Sequence, residues 1–328
     1  MTRGMILAAG FGTRLGALSD ERPKPLLPVG DVPLIRWALA LLRGGGVGTA
    51  PDDVIVNLHH GGEKLERELG SEVTWSREPA ILGTGGGLRR ALPLLGDGPF
   101  VVANGKILLD LDLAEVLAAH RASGAAATLV VRPDAEARRW GAIDTPEAGG
   151  PIRALLGDGG FMFTGVHVLE PELVRRLPDD GEARCIVRHG YVPWLAAGVP
   201  LHAHVARGYF MEHSTPARYL EGNVNLLRGR AQLLYPPPLC AEVAPGLRIA
   251  PSARLAPTAR LIAPVLVAAD ATIGADAIVG PDVVIGAGAA VRPGITLARA
   301  VLWPGATARA SAVGAIVTPE RTVFVDAP

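Results

Sequence analysis

Two short stretches carry side chains suited to chemistry on a phosphate. The first is Ala9-Gly10-Phe11-Gly12-Thr13-Arg14, with Lys24 further on between two prolines. Glycines let backbone N–H groups close on an anion, and a turn of such groups makes an anion nest. Arg14 adds a planar fork of donors for phosphate oxygens. Pro23 and Pro25 stiffen the chain around Lys24, so its ammonium can be aimed. The second stretch is "FVVANGKILLDLDL", Phe100 to Leu113: a buried strand, a turn at Asn104-Gly105-Lys106, then an acidic tip at Asp110 and Asp112. A strand ending in polar residues at a Gly turn is a usual place for chemistry in an α/β sheet. Asp110 and Asp112 have two readings, contact with a metal or the start of the helix that follows, where Asp is a good cap.

The elements that must position these groups change character along the chain. Up to about residue 235, short apolar runs alternate with helical patterns. "MILAAG", "DVIVNL", "FVVANG" and "ATLVVR" read as strands; "LIRWALALLRGG", "EKLERELG" and "DLAEVLAAHRASG" read as helices, the last with a Gly stop. This alternation predicts βαβ units and a doubly wound, mostly parallel sheet. A Pro-rich connector follows within 232–246. Then Ile249, Leu255, Leu261, Val267, Ile273, Val279, Ile285, Val291 and Leu297 recur at every sixth position, with small or turn-forming residues between. One large aliphatic per hexapeptide predicts a β-helix, with the aliphatic inside and Gly or Asp at the corner. The register blurs after Leu297. The expected domains are therefore 1–235, a linker at 236–246, and a β-helix over 247–328.

Composition narrows the function. The formal net charge is zero, which argues against a general attraction to nucleic acid or anionic membranes. No run approaches the roughly 20 apolar residues of a spanning helix, and "MTRGMILAAG" is too short for a signal peptide, so a cytoplasmic location is expected. Cys185 and Cys240 form neither a metal spacing nor a disulfide framework. His202 and His204 share one face of a probable strand but lack a third ligand nearby. His59-His60 ends another strand and is a candidate for the substrate cleft. Lysine is rare: only Lys24, Lys64 and Lys106 occur.

The block "LAAGFGTRLGALSDERPKPLLPVGDVPLI", Leu7 to Ile35, resembles the signature of the sugar-1-phosphate nucleotidyltransferases, the nucleotide-sugar pyrophosphorylases. It is most similar to the mannose-1-phosphate guanylyltransferase-like and N-acetylmuramate-1-phosphate uridylyltransferase-like groups. "EPAILGTGGGLRRALPLL", "FMFTGVHVLEPELVRRLP" and "GYFMEHSTPARYLEGNVNLL" match further family segments. The resemblance implies a Rossmann-like nucleotidyltransferase fold and a left-handed hexapeptide β-helix tail. It also implies the reaction: an NTP and a sugar 1-phosphate give a nucleotide-sugar and pyrophosphate. By position, Ala9, Gly10, Gly12 and Thr13 would line the base and phosphates, Arg14 and Lys24 would clamp phosphate charge, and Glu78, Gly83, Thr84 and Gly85 would lie near base or ribose. Asn104, Gly141 and Gly165 would face the sugar. A homo- or hetero-oligomer formed through the β-helix is expected.

The family holds Mg²⁺ with two aspartates, and both positions differ here. Lys106 stands where the "NGD" Asp is expected, and Glu212 replaces the second Asp, next to His213 and Ser214. An ammonium cannot ligate Mg²⁺, which takes oxygen ligands. Three readings follow: Lys106 replaces the metal and pairs with Glu212; a metal still binds through Glu212 with Asp110 or Asp112; or the chain is a catalytically silent nucleotide- or nucleotide-sugar-binding regulatory subunit. The hexapeptide tail also resembles acyltransferases that use a His base, but every histidine lies at or before His213.

Overall fold

The computed structural model describes residues 2–325. Met1 and residues 326–328, which fall inside the expected domain boundaries, lie outside the described residues. The chain forms two compact units. The first comprises the residues up to Phe11, Ala38–Gly105 and Leu109–Phe210; the second gathers Gly12–Trp37, Lys106–Leu108 and the chain from Met211 onward.

The first unit is built on a ten-stranded sheet. Its main strands are β1 (Gly4–Leu7), β2 (Val54–Leu58), β3 (Thr74–Arg77), β4 (Phe100–Asn104), β5 (Ala127–Pro133), β6 (Phe161–Leu169) and β7 (Leu201–Val205). They lie in the order β7-β5-β6-β4-β1-β2-β3. The pairs β4-β1, β1-β2, β2-β3 and β5-β7 are parallel, while β6 runs antiparallel to β4 and β5. The near-continuous apolar runs arise because the sheet is covered on both faces. Helices α1 (Leu34–Gly44), α2 (Gly62–Leu69) and α4 (Leu113–Ser123) form where the 3.6-residue pattern predicts them, and the last ends on Gly124 at φ 61. A further helix, α3 (Gly83–Leu95), begins in the glycine run itself. Its Leu88, Ala91, Leu92 and Leu95 bury against Met5, Ile55 and Phe100.

In the second unit, helix α5 (Pro216–Leu227) is capped by Thr215, whose hydroxyl accepts from the Arg218 N–H at 3.2 Å. The hexapeptide region coils as the period predicts. Leu247 pairs with Val265 and Val265 with Val283, in parallel ladders one coil of 18 residues apart. Each of the nine phased aliphatics lies on a strand, and those from Val267 to Leu297 are buried. Asp270, Asp276 and Asp282 turn successive corners at φ near 60, a conformation Asp tolerates better than most side chains. Beyond Leu297 the coil shortens: Val283 pairs with Ala300, and Leu297 with Ala312. Among the described residues no helix is long and apolar enough to cross a membrane.

Candidate functional site

In the first unit, β1 has β4 on one side and β2 on the other, both parallel to it. The crevice outside the carboxyl ends of strands at such a switch point is the usual ligand position in open α/β sheets. Ala8–Phe11 and Asn104-Gly105 leave β1 and β4 there, joined by a 3.0 Å bond from the Gly105 N–H to the Leu7 carbonyl. Asn57, at the end of β2, ties three segments together. Its Oδ1 accepts from the Ala8 N–H at 2.6 Å and its Nδ2 donates to Glu78 Oε1 at 2.7 Å. The other Glu78 oxygen accepts from the Leu82 N–H at 3.0 Å. Glu78 is buried, with one oxygen tied to β2 and the other to the start of α3. Phe11 packs its ring against His59 and His60, and His59 Nδ1 lies 3.0 Å from the Glu78 carbonyl.

The second unit contains a compact charged cluster. Lys106 Nζ lies 2.7 Å from Glu212 Oε1, and Arg14 reaches the same oxygen at 3.4 Å. Lys24 belongs to the same electrostatic group: burial, then the Lys106 charge, push its ammonium down to about 8, against the opposing pull of Glu212. Burial pushes the Glu212 carboxyl up, but Lys106, Arg14 and Lys24 outweigh it and hold the group below its usual range. With Arg14, Lys24 and Lys106 acting on the one Glu212 carboxylate, positive charge is in excess in this cluster. Arg14 is half exposed, whereas Lys24 is 9% exposed.

His213 braces the backbone of Lys106. The Lys106 carbonyl accepts from the His213 backbone N–H at 3.1 Å and lies 3.3 Å from its Nδ1. Burial pushes the imidazole down to about 4, so the ring is neutral near pH 7 and donates from Nδ1. Its Nε2 is buried without a hydrogen-bond partner. Gly222 makes the space: a Cβ there would lie 2.1 Å from Nε2.

The Nucleotidyl transferase family profile matches residues 3–156. A mannose-1-phosphate guanyltransferase from Candida albicans is 30% identical over 73% of this chain and 68% of its own length. An N-acetylmuramate alpha-1-phosphate uridylyltransferase from Neisseria meningitidis is 34% identical over 52% of this chain and 76% of its own. The chain belongs to the sugar-1-phosphate nucleotidyltransferase family. It spans just under two thirds of the length of several mannose-1-phosphate guanylyltransferase relatives, such as one from Arabidopsis thaliana, of which it covers 63%. In fold, a crystal structure of HddC from Yersinia pseudotuberculosis complexed with GMP-PN superposes with a TM-score of 0.58 at 21% identity, over 69% of this chain and all of that one.

Within the chain, the sequence candidates separate into groups. Arg14, Lys24, Lys106 and Glu212 come together. Ala9 and Gly10 follow β1 in the first unit, whereas Gly12 and Thr13 open a 3₁₀ turn in the second, with Gly12 at φ 72. Gly83, Thr84 and Gly85 pack on the chain itself. The Gly85 N–H donates to the Arg184 carbonyl at 2.7 Å, and the Thr84 hydroxyl accepts from the Ile186 N–H at 2.9 Å. Gly165 lies directly against Asn104, so that a Cβ would sit 2.0 Å from Asn104 Nδ2. Gly141 abuts Leu156 in the same way. Asp112 caps α4, accepting from the Ala114 N–H at 2.8 Å; Asp110 and Asp112 lie in the first unit and Glu212 in the second. Sequence reasoning missed Asn57 and the bracing role of His213. A polar residue ending an otherwise apolar strand was the available signal for Asn57.

The residues at the family's metal position do not fit Mg²⁺. Glu212 already accepts from an ammonium and a guanidinium, and a divalent ion there would meet both of these positive charges at close range. Among the described residues no group of three or more His, Cys, Asp and Glu side chains is arranged to hold a metal ion.

Proposed function

We propose that this chain transfers a nucleotidyl group from an NTP to a sugar 1-phosphate and releases pyrophosphate. The observation that carries the reading is the Arg14, Lys24, Lys106 and Glu212 cluster, in a chain of this family. A sugar-phosphate oxygen attacks the α-phosphorus in line, a P–O bond forms, and the bond from the α-phosphorus to the oxygen bridging it to the β-phosphate breaks. The electron pair leaves on pyrophosphate. No covalent enzyme intermediate is needed, so rate enhancement comes from positioning and from neutralising charge.

Lys106 and Lys24 are assigned to the phosphates as compact point charges, and Arg14 as a fork. Glu212 fixes Lys106 by its 2.7 Å bond, and His213 fixes the Lys106 backbone. The backbone turn Ala9-Gly10 and the one opened by Gly12-Thr13 are assigned to base and phosphates. Asn104, seated on Gly165, is assigned to the sugar, with Gly141. Glu78, Gly83, Thr84 and Gly85 shape the base side through the contacts of α3. Since Lys106 supplies positive charge where the family's metal would act, no step runs through Mg²⁺. An NTP substrate also fits a cytoplasmic location.

The test is pyrophosphate release over a panel of nucleoside triphosphates and sugar 1-phosphates. GTP with mannose 1-phosphate and UTP with N-acetylmuramate 1-phosphate come first, with and without chelator. Turnover is expected with at least one pair and is expected to survive chelation. Silence across the panel, together with tight binding of an NTP or nucleotide-sugar, would replace this reading with a silent binding subunit.

A further inference from the structure

The segment Gly12–Trp37 clusters with the β-helix in the second unit, and the side chains that tie it there lie on both sides of Lys24. On one side, Glu21 is sequestered by the last coils. The Thr318 hydroxyl donates to Glu21 Oε1 at 2.7 Å, and Arg321 Nε pairs with the same oxygen at 2.9 Å. The Glu21 side chain is only 6% exposed. The Arg22 guanidinium lies 5.3 Å over the buried Trp303 ring, within cation–π range.

On the other side, the Tyr219 hydroxyl donates to the Pro28 carbonyl at 2.6 Å and accepts from Trp303 Nε1 at 3.0 Å. The Gly30 N–H donates to Asn223 Oδ1 at 2.9 Å, and Asp31 Oδ1 accepts from the Ala287 N–H at 3.1 Å. Between these anchors Lys24 starts a one-turn 3₁₀ helix, Lys24–Leu26. Trp303 belongs to both sets, touching Arg22 before the turn and Tyr219 after it. The turn that carries the buried ammonium is thus held at both ends by residues far along the chain.

We propose that the β-helix is a positioning element of the phosphate site, in which Trp303, Thr318 and Arg321 act through Glu21, Arg22 and Tyr219 to fix the turn that carries Lys24. None of the three touches a reacting group. They set where the ammonium points and how far water reaches it. The functional weight of this proposal rests on the reading of Lys24 as a phosphate-binding residue, whereas its structural content does not.

The rarity of lysine makes the proposal directly testable. Trace labelling with acetic anhydride over a pH series, read by peptide mass spectrometry, reports Lys24, Lys64 and Lys106 separately in the full chain, with Lys64 as internal reference. The variants are Arg321→Ala, Thr318→Val and Trp303→Phe, with Arg321→Lys as the conservative rescue. Trp303→Phe keeps a ring under Arg22 and removes the indole donor together with part of the buried ring. Native circular dichroism is checked first, and Thr318→Val, which keeps the side chain's size and removes the hydroxyl that bonds Glu21 and the backbone of Glu320 and Arg321, keeps the test alive if a larger change fails to fold. In wild type, Lys24 is expected to titrate at about 8.

In folded Arg321→Ala and Trp303→Phe, the Lys24 midpoint is expected to rise by about one pH unit as water reaches the ammonium, with Lys64 unmoved and Arg321→Lys close to wild type. An unchanged Lys24 midpoint in the folded variants would overturn the proposal. Inorganic pyrophosphate binding, measured in parallel by calorimetry, separates the two layers. If Lys24 moves and pyrophosphate weakens several-fold, both readings stand. If Lys24 moves while wild type shows no pyrophosphate binding at all, the positioning stands and the phosphate reading falls.

Discussion

Reversing the charge of Lys106 tests the reading of the cluster most directly. Lys106 Nζ sits 2.7 Å from Glu212 Oε1, and its side chain is 29% exposed. Two unit charges about 4 Å apart interact by about 4 kcal/mol at an effective dielectric near 20. Because Lys106 is partly in water, a value of about 1.5–3 kcal/mol, that of one charged hydrogen bond, is the appropriate scale. Each 1.4 kcal/mol is about tenfold in affinity. Lys106→Ala is therefore expected to weaken inorganic pyrophosphate binding about 10- to 100-fold in the presence of chelator. Lys106→Asp is expected to weaken it further, because a second carboxylate then faces Glu212. That same substitution creates the paired oxygen ligands that divalent ions favour. Mn²⁺ titration followed by electron paramagnetic resonance should show no binding to the ligand-free wild type at millimolar ion and clear binding to Lys106→Asp. Wild type that binds Mn²⁺ tightly, or that binds pyrophosphate no better than Lys106→Asp under chelation, would refute the argument that the ammonium stands in the metal's place.

Three more predictions concern Lys24, Asn57 and Asp31. Lys24, pushed down to about 8 chiefly by burial, is cationic below that pH and loses its charge above it; pyrophosphate affinity should therefore fall from about pH 7 to about pH 9, and Lys24→Arg should flatten the profile by keeping the charge throughout. Asn57→Leu leaves Glu78 Oε1 and the Ala8 N–H without their partners; stranding buried polar groups costs about 1–3 kcal/mol each, so a large drop in Tm is expected, against a small one for Asn57→Asp at a pH low enough to protonate it. Burial pushes Asp31 up to about 6, so the folded state holds its proton more tightly than the unfolded chain, and ionising it costs stability as pH rises through about 4 to 6. Asp31→Asn keeps the acceptor for Ala287 and suits the φ of 66; it should raise Tm by a few degrees near pH 7 and by less near pH 4, and a larger gain at low pH would contradict the assignment.

The sequence by itself determined the elements whose signal is periodic or local. The six-residue repeat from Ile249 to Leu297 dictates a coil of three faces, because only a flat face with one inward aliphatic per hexapeptide buries that pattern. Apolar runs with helical patterns between them dictate the sheet, and the clustered motifs identify the family. The sequence also exposed Lys106 as the odd residue, because a change of charge sign is visible without coordinates. What it missed is what depends on contacts distant in the chain. Asn57 joins Ala8 to Glu78, and His213 fits only because Gly222 has no side chain. Above all, linear boundaries at 235 and 246 follow changes of pattern, whereas compactness follows burial and pairing. Burial places Gly12–Trp37 and Lys106 in one unit with the β-helix, because Glu21, Arg22, Pro28 and Asp31 find their buried partners among residues that follow them by about 190 to 300 positions. No local propensity encodes such pairings; they exist only once the coil has been built.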